Sequence, residues 1–238
     1  MRFFYAPVIG SPFHVLDEEE SRHVFKVLRL REGDEVLLTD GRGGRFAGAL
    51  VATSRTSCTL ATRALEPDPP PARTVTLAIA PPRSPDRWEW LLEKATEVGV
   101  TDIQPVLTAR TEGFKERRDR WERILAAAMK QSQRCWLPRL HAPRSWEDFL
   151  AQAGSAQGLL AHCLPARAAV EKVHILQAVP SAGDVWVAIG PEGDFTPEEI
   201  DRGCATGARE VDLGPHRLRT ETAGLVALLA VDWGGQVG

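Results

Sequence analysis

Three things are scarce in this chain, and each scarcity excludes a class. The first is net basic charge. Its 29 lysines and arginines face 32 acids, a formal net charge of -3, so no overall excess points to nucleic acid and such a partner must be argued from local patches. Long apolar runs are the second. Nothing approaches the roughly 18 residues of a membrane span, and the opening MRFFYAPVIG lacks the pattern of a secretory leader. Cysteine is the third. Cys58, Cys135, Cys163 and Cys204 are widely spaced with no C-x-x-C, which reads as four buried, reduced thiols of a cytoplasmic protein. The six histidines never show H-x-x-x-H spacing, and His162-Cys163 has no further ligands nearby, so no metal is expected. His14, His141 and His174 read as surface or structural. There is no G-x-S-x-G, and GRGGRF (41–46) misses the register of a dinucleotide-binding loop. What remains is globular: 43% hydrophobic over 238 residues, enough for one large domain or two smaller ones.

One composition break divides the chain. EPDPPPAR (66–73) carries four prolines in eight positions, and proline can extend neither a helix nor a sheet ladder, so an interdomain linker is placed here. Before it the signals are mostly β. A short helix opens at Asp17–Glu20 and turns His23, Val24, Val27 and Leu28 to one side. Gly33-Asp34 is a turn, EVLLTD (35–40) and RFAGALV (45–51) form a hairpin around GRGG, and another strand follows near 57–63. Such a run of short strands suggests a small β-barrel.

After the linker, apolar strands alternate with helices. Strands are read at 74–80, 101–107, 157–162, 184–190 and 210–213, with helices near 84–98, 117–134, 145–152, 196–206 and 220–232. In the long helix Trp121, Ile124, Leu125 and Ala128 follow the i, i+3, i+4, i+7 pattern. Continuous apolar strands with helical crossovers argue a parallel sheet covered on both faces. The fold class is α/β with a β-rich N-terminal appendage.

In such sheets ligands collect beyond the carboxyl ends of the strands. Two loops qualify. IGPEGDFTPEEI (189–200) leaves a strand and enters a helix: Gly190 and Gly193 permit a sharp turn, Thr196 with Glu199 forms a capping box, and Pro197 takes the first helical position. It has no lysine, and Glu192, Asp194, Glu198 and Glu199 surround it, so phosphate is repelled while a cationic or neutral ligand is welcome. Its spacing alone also suits a simple turn and cap. LGPHRLRTETAGL (213–225) sets His216, Arg217 and Arg219 before Thr220, Glu221 and Thr222 at a helix start. Two arginines there suit an anionic group such as an RNA phosphate, although they also read as solvated, with Thr220 an N-cap.

Basic residues gather locally despite the acidic total. Arg22, Lys26, Arg29 and Arg31 cluster before the linker, and Arg110, Lys115, Arg117, Arg118, Arg120, Arg123, Lys130 and Arg134 lie in or near the long helix. Glu116, Asp119 and Glu122 on that helix make part of this ordinary helix pairing.

Taken together, IGPEGDF (189–195) and LGPHRLRTETA (213–223) resemble the paired signature of the 16S ribosomal RNA uridine-N3 methyltransferase family, within the SPOUT class of knotted methyltransferases. RFF (2–4), HVFKVLRLREGD (23–34), EKATEVGV (93–100) and KQSQR (130–134) followed by Pro138 extend the likeness along the chain. Two departures stand out: Asp194 occupies a position usually glycine, and Pro215-His216-Arg217 replaces a more usual x-Arg-Ile.

The resemblance implies a PUA-like RNA-binding barrel over 1–68 and a SPOUT-like parallel-sheet domain with a C-terminal trefoil knot over 73–238. It implies S-adenosyl-L-methionine as cofactor, a homodimer, and one uridine of small-subunit ribosomal RNA as substrate, with no membrane partner. Carried onto this sequence, cofactor contacts fall on Leu160, Ala161, His162, Ile189, Gly190, Pro191, Glu192, Gly193, Leu213, Gly214, Leu218, Arg219, Thr222 and Ala223. Arg219 and Glu221 become the catalytic candidates, one for charge stabilisation and one for the proton. Water remains open as the proton acceptor, and Arg217 as the alternative arginine. RNA contacts fall on Arg22, Lys26, Arg29, Arg31, Lys130 and Arg134. Two rival readings are a knotted methyltransferase acting on another RNA position, such as a ribose 2'-hydroxyl, and a non-catalytic RNA-binding ribosome-assembly factor.

Overall fold

The structure, a computed structural model, describes residues 2–164 and 172–234. The chain divides into two compact units, Met1–Pro70 with Ala126–Leu137 and Pro71–Leu125 with Pro138–Gly238.

The first unit contains β1 (Phe3–Tyr5), β2 (Phe13–Val15), α1 (Glu18–His23), β3 (Glu35–Thr39), β4 (Arg45–Thr53) and β5 (Cys58–Ala64). They form one sheet in the order β1-β3-β4-β5-β2, antiparallel except for β1 beside β3. The pairing path is open at β1 and β2, so the barrel suggested by the sequence is seen as a five-stranded sheet. Alternate residues Val36 and Leu38, with Leu50, Cys58 and Leu60, pack on Phe4, Leu16 and Val24.

Asp17 caps α1 by accepting from the Glu20 N–H at 2.7 Å. Beyond His23 the chain widens into a π-helical turn, Val24–Leu28, closed by Arg29 at φ 51°, whose N–H donates to Val24 O. That turn corrects the expected shared face. Spacing by i→i+5 rotates an i+3 neighbour away, so Val24 is buried while Val27 is 66% exposed and His23 also faces out.

The returning segment 126–137 was not apparent from composition. Gly43 N–H donates to Cys135 O at 2.8 Å and Leu137 N–H to Gly41 O at 2.9 Å. Trp136 Nε1 donates to Pro69 O, and Lys130 pairs with Glu20. A Cβ on Gly43, which sits at φ +89°, would lie 2.5 Å from the Trp136 ring, so this turn needs glycine for close approach as well as for its backbone angle.

The second unit runs β6 (Val75–Ile79), α2 (Pro85–Glu97), β7 (Asp102–Leu107), α3 (Arg118–Gln131), β8 (Arg139–Leu140), β9 (Arg144–Ser145), α4 (Trp146–Gln152), β10 (Gln157–Ala161), β11 (Val173–His174), α5 (Ile175–Ala178), β12 (Val185–Ile189), α6 (Pro197–Ala205), β13 (Arg209–Asp212) and α7 (Thr220–Gly234). The units divide within α3, at Leu125/Ala126. The five expected strands and five expected helices are present; β8, β9, β11 and α5 are short additions. The sheet order is β11-β13-β10-β12-β6-β7-β8, with β9 beside β7, and every pairing is parallel.

Both faces of this sheet are covered, which is why its strands read as unbroken apolar runs. On one face Ala78, Leu160, Trp186 and Ala188 pack with Trp146, Phe149, Phe195 and Ile200. The Trp146 ring lies 5.0 Å from Phe195, and its Nε1 donates to Glu199 O. On the other face Gly224 of α7 lies against Ile79, Leu77 and Leu91, where a Cβ would come within 2.9 Å of Ile79. Among the described residues no helix is long and apolar enough to cross a membrane.

The cysteine expectation needs revision. Cys58 and Cys135 are buried, but Cys163 is exposed and Cys204 half-buried; none of the four is in a disulfide. Cys163 is exposed because it lies past the end of β10, in a loop, and not in the sheet core.

Candidate active site

A cavity of about 720 Å³ opens beyond the carboxyl ends of β10, β12 and β13, where a parallel sheet of this kind presents its loops. Three segments build most of it, Ala161–Cys163, the loop after Ile189, and the stretch from Val211 to Ala223, with Arg87 and Lys172 added from elsewhere.

Helix α6 fixes the second segment. Thr196 and Glu199 form the capping box the spacing indicated, and Pro197 stands in the first turn. Glu199 also accepts from the Ala109 N–H at 2.8 Å, tying the loop after β7 to this helix start. Gly190 lines the cavity, and a Cβ there would come within 3.0 Å of Phe195. Gly193 faces elsewhere: its Cβ would meet the Arg110 side chain, whose Nη1 donates to Gly193 O at 2.6 Å.

Asp194 links two of the segments. Its φ is +66°, a left-handed conformation that explains why glycine is the ordinary occupant. Its carboxylate accepts from the Phe195 N–H at 2.8 Å and from the Cys163 N–H at 2.7 Å. The side chain thus clasps the loop after β10 to the loop after β12.

The third segment is tied down at both ends. Gly214, at φ +111°, donates its N–H to Asp212 Oδ1 at 3.0 Å. Thr220 Oγ1 donates to Gly190 O at 3.3 Å. The helix start is therefore capped differently from the sequence expectation: Ala223 N–H bonds to Arg219 O, and the Thr220 hydroxyl joins the two signature loops to each other.

Beneath the cavity His162 and Glu210 are almost fully buried and meet at 2.7 Å, Nε2 to Oε2. With Glu210 a carboxylate, Nε2 carries the hydrogen, which leaves Nδ1 as a buried acceptor with no partner among the described residues. Burial, with Lys172 nearby, holds the imidazole below its ordinary range. Burial likewise lowers Lys172, which donates to His162 O at 2.7 Å and to Leu164 O.

Comparison with known proteins agrees with this geometry. A family profile described as an RNA methyltransferase domain matches residues 69–232, and an RNA methyltransferase PUA domain matches 16–62. The chain belongs to the RNA methyltransferase family. It is 32% identical to a ribosomal RNA small subunit methyltransferase E of Synechocystis sp., covering 91% of this chain and 72% of that one. A crystal structure of a probable rRNA-methyltransferase from Porphyromonas gingivalis superposes with a TM-score of 0.91 at 34% identity, covering 100% and 99% of the two chains. A ribosomal RNA small subunit methyltransferase E from Neisseria gonorrhoeae, bound to S-adenosyl methionine, gives 0.85 at 28% identity over 98% and 97%.

In this methyltransferase, eleven of the fourteen cofactor contacts carried over from the resemblance line the cavity: Ala161, His162, Ile189, Gly190, Pro191, Glu192, Leu213, Gly214, Leu218, Arg219 and Ala223. Leu160, Gly193, Glu221 and Thr222 are outside the lining. Leu160 is core, and Glu221 is buried beside Arg87. The sequence reading gave no site role to Arg87, Cys163, Lys172, Val211 and Asp212, which do line it. Arg87 lies on α2, and no signature motif marked it. Arg217 and Arg219 both line the cavity, both exposed and without an ion pair among the described residues. Among the described residues no group of three His, Cys, Asp or Glu is set to hold a metal.

The basic residues expected on RNA all lie in the first unit, in unequal states. Arg22 pairs with Glu18 at 2.6 Å and Lys130 with Glu20. Lys26, Arg29 and Arg31 are exposed with no ion pair among the described residues, and Arg134 is half-buried.

Proposed function

We propose that this methyltransferase uses S-adenosyl-L-methionine to methylate N3 of one uridine in the 16S RNA of the small ribosomal subunit. The observation that carries the reading is the meeting of both signature loops around one cavity, joined by Thr220 and Gly190. The lining suits the cofactor. Ile189, Leu213, Leu218 and Ala223 offer apolar walls, Glu192, Asp194 and Asp212 favour a cationic group, and His162 Nδ1 is a buried acceptor awaiting a donor.

When bound, the cofactor supplies an electrophilic methyl group on a sulfonium. The protein has two tasks around it. The backbone at Ile189–Pro191 and at Leu213–Gly214, with Leu218 and Ala223, holds and orients it, leaving methyl transfer to depend on positioning. Uridine N3 loses a proton as it reacts, and its ring then carries negative charge on O2 and O4. Arg219 stabilises that charge or holds the neighbouring phosphate, with Arg217 as a second cation. Lys26, Arg29, Arg31, Arg22, Lys130 and Arg134 bind the RNA backbone.

A domain division near 68 and 73, a C-terminal trefoil knot, a cytoplasmic location and a homodimer belong to the same proposal. The knot is supported by the packing of the loop after β13 on the end of β12. Exposed Leu176 on α5 and Trp233 on α7 offer an apolar surface to a second copy, which light scattering would detect.

Two measurements test the function. Calorimetric titration with S-adenosyl-L-methionine should saturate in the wild type and weaken by at least tenfold in Ala223→Leu, whose larger side chain enters the cavity. Nucleoside analysis of treated small subunits should then show 3-methyluridine. Methylation of a ribose hydroxyl would overturn the position, and RNA binding without any cofactor binding would overturn the enzyme reading.

A further inference from the structure

We infer that Arg87 is a further substrate-facing residue of this site, and that Glu221 serves to fix its guanidinium and is not the proton acceptor. The inference rests on the methyl-transfer reading above.

Two helix starts bring the pair together. Arg87 is in the first turn of α2 and Glu221 in the first turn of α7. Residues three or four apart share a helix face, so Arg87 lies above Leu91 on α2 and Glu221 above Gly224 on α7. Gly224 has no side chain, and a Cβ there would stand 3.3 Å from Leu91 Cδ1. The close approach of the two helices places Arg87 Nε 3.6 Å from Glu221 Oε1. The Glu221 side chain is 9% exposed and lies outside the cavity wall; the Arg87 side chain is 40% exposed, and the residue lines the cavity.

Geometry decides the roles. A general base must come within hydrogen-bond reach of the proton it takes, and here the arginine stands on the wall where the carboxylate does not. A guanidinium paired with a buried carboxylate is biased toward one orientation, which favours a donor that stabilises developing charge with little reorganisation. Arg217 and Arg219 have no such anchor among the described residues, so they suit phosphate capture. The step then balances simply. The N3 proton goes to water, Arg87 donates to a uracil carbonyl oxygen as charge develops, the N3–CH3 bond forms and the CH3–S bond breaks. The products are 3-methyluridine, S-adenosylhomocysteine and a proton.

The test uses the full chain and small subunits lacking the methyl group. Arg87→Ala should lower kcat by about 10²-fold, the loss expected for one pre-organised donor, with the KM for subunits within threefold. Arg219→Ala should act mainly on KM. Glu221→Gln should lower kcat less than Arg87→Ala, keep the wild-type pH profile, and add nothing in the Arg87→Ala background. Arg87→Lys, which keeps the charge but loses Nε, should fail to restore the rate. A readout free of turnover is the Arg87 Nε–H resonance by NMR, which should move when Glu221→Gln removes the neighbouring carboxylate charge. Calorimetric affinity for S-adenosyl-L-methionine should be unchanged in Arg87→Gln, which also serves if Arg87→Ala does not fold. Unchanged kcat in Arg87→Ala and Arg87→Gln overturns the inference, as does a Glu221→Gln pH profile that has lost its acid limb. If the wild type makes no 3-methyluridine while the Nε–H resonance still depends on Glu221, the functional reading has failed and the pairing stands.

Discussion

Asp194 allows a prediction to be worked from coordinates. It combines a left-handed backbone at φ +66° with two hydrogen bonds from its carboxylate, to the N–H groups of Cys163 and Phe195. Alanine removes both bonds and keeps the unfavourable backbone. Because the bonds are partly exposed, each contributes near the lower end for charged acceptors, about 1.5 kcal/mol, and Asp194→Ala should cost about 3 kcal/mol in all. Glycine removes the same bonds but relieves a backbone cost of about 1–2 kcal/mol that a Cβ imposes. Asp194→Gly should therefore be the more stable of the two by about 1 kcal/mol, even though glycine loosens the unfolded chain. The assay is urea unfolding followed by tryptophan emission, since Trp146 lies 5.0 Å from Phe195 in the same unit. With a slope of about 2 kcal/mol per molar urea, the two midpoints should differ by about half a molar, alanine lower. An alanine variant as stable as the glycine variant would refute the strain assignment. Two variants matching the wild type would show that the clasp between the loops contributes nothing.

Other outcomes follow from single contacts. A Cβ at Gly158 would fall 2.1 Å from Trp186, its partner across β10 and β12, so Gly158→Ala should lose about 3 kcal/mol in the same assay; a loss below about 1 would mean the ring moves aside freely. The buried His162 refuses a proton that the unfolded chain accepts, so its contribution is complete above its ordinary value of about 6.5 and declines as pH falls toward the lowered native value. The stability difference between wild type and His162→Gln should narrow between pH 7.5 and 5.5; a constant difference would remove His162 from the acid limb. For RNA, alanine at Lys26, Arg29 or Arg31 should each reduce the slope of log K against log salt by about 0.7–0.9, while Arg22 and Lys130, already paired with Glu18 and Glu20, should change it less. Equal slopes for all five would refute that ordering.

The sequence shows most clearly what depends on neighbours within a few residues. The strands at Val185–Ile189 and Val75–Ile79 are buried on both faces, so their apolar runs needed no partner to be recognised. The capping box at Thr196 and Glu199 is equally local. The loops after these strands were legible as a site because turn glycines, acids and arginines concentrate there. What stayed hidden depends on contacts between distant segments or on backbone angles. Val27 fits an α-helical face by spacing, and only the π turn turns it outward. Trp136 and Lys130 join the first unit through Gly43, Pro69 and Glu20, partners that no local pattern names.

The same distinction governs the chemistry. Gly190 and Gly193 look equivalent in IGPEG, yet one borders the cavity and the other lies under Arg110. Glu221 was conspicuous because it sits in RTETA beside Arg219, and a motif naturally assigns its acid a direct role. Arg87 was inconspicuous because α2 carries other charges and nothing local marks this one. Packing reverses their prominence: Gly224 lets α7 approach α2, Glu221 is covered, and the arginine it holds is what reaches the cavity. A motif can therefore mark a residue whose function is carried out by a partner far away in the sequence. In this site, the absence of a side chain at Gly224 connects the two.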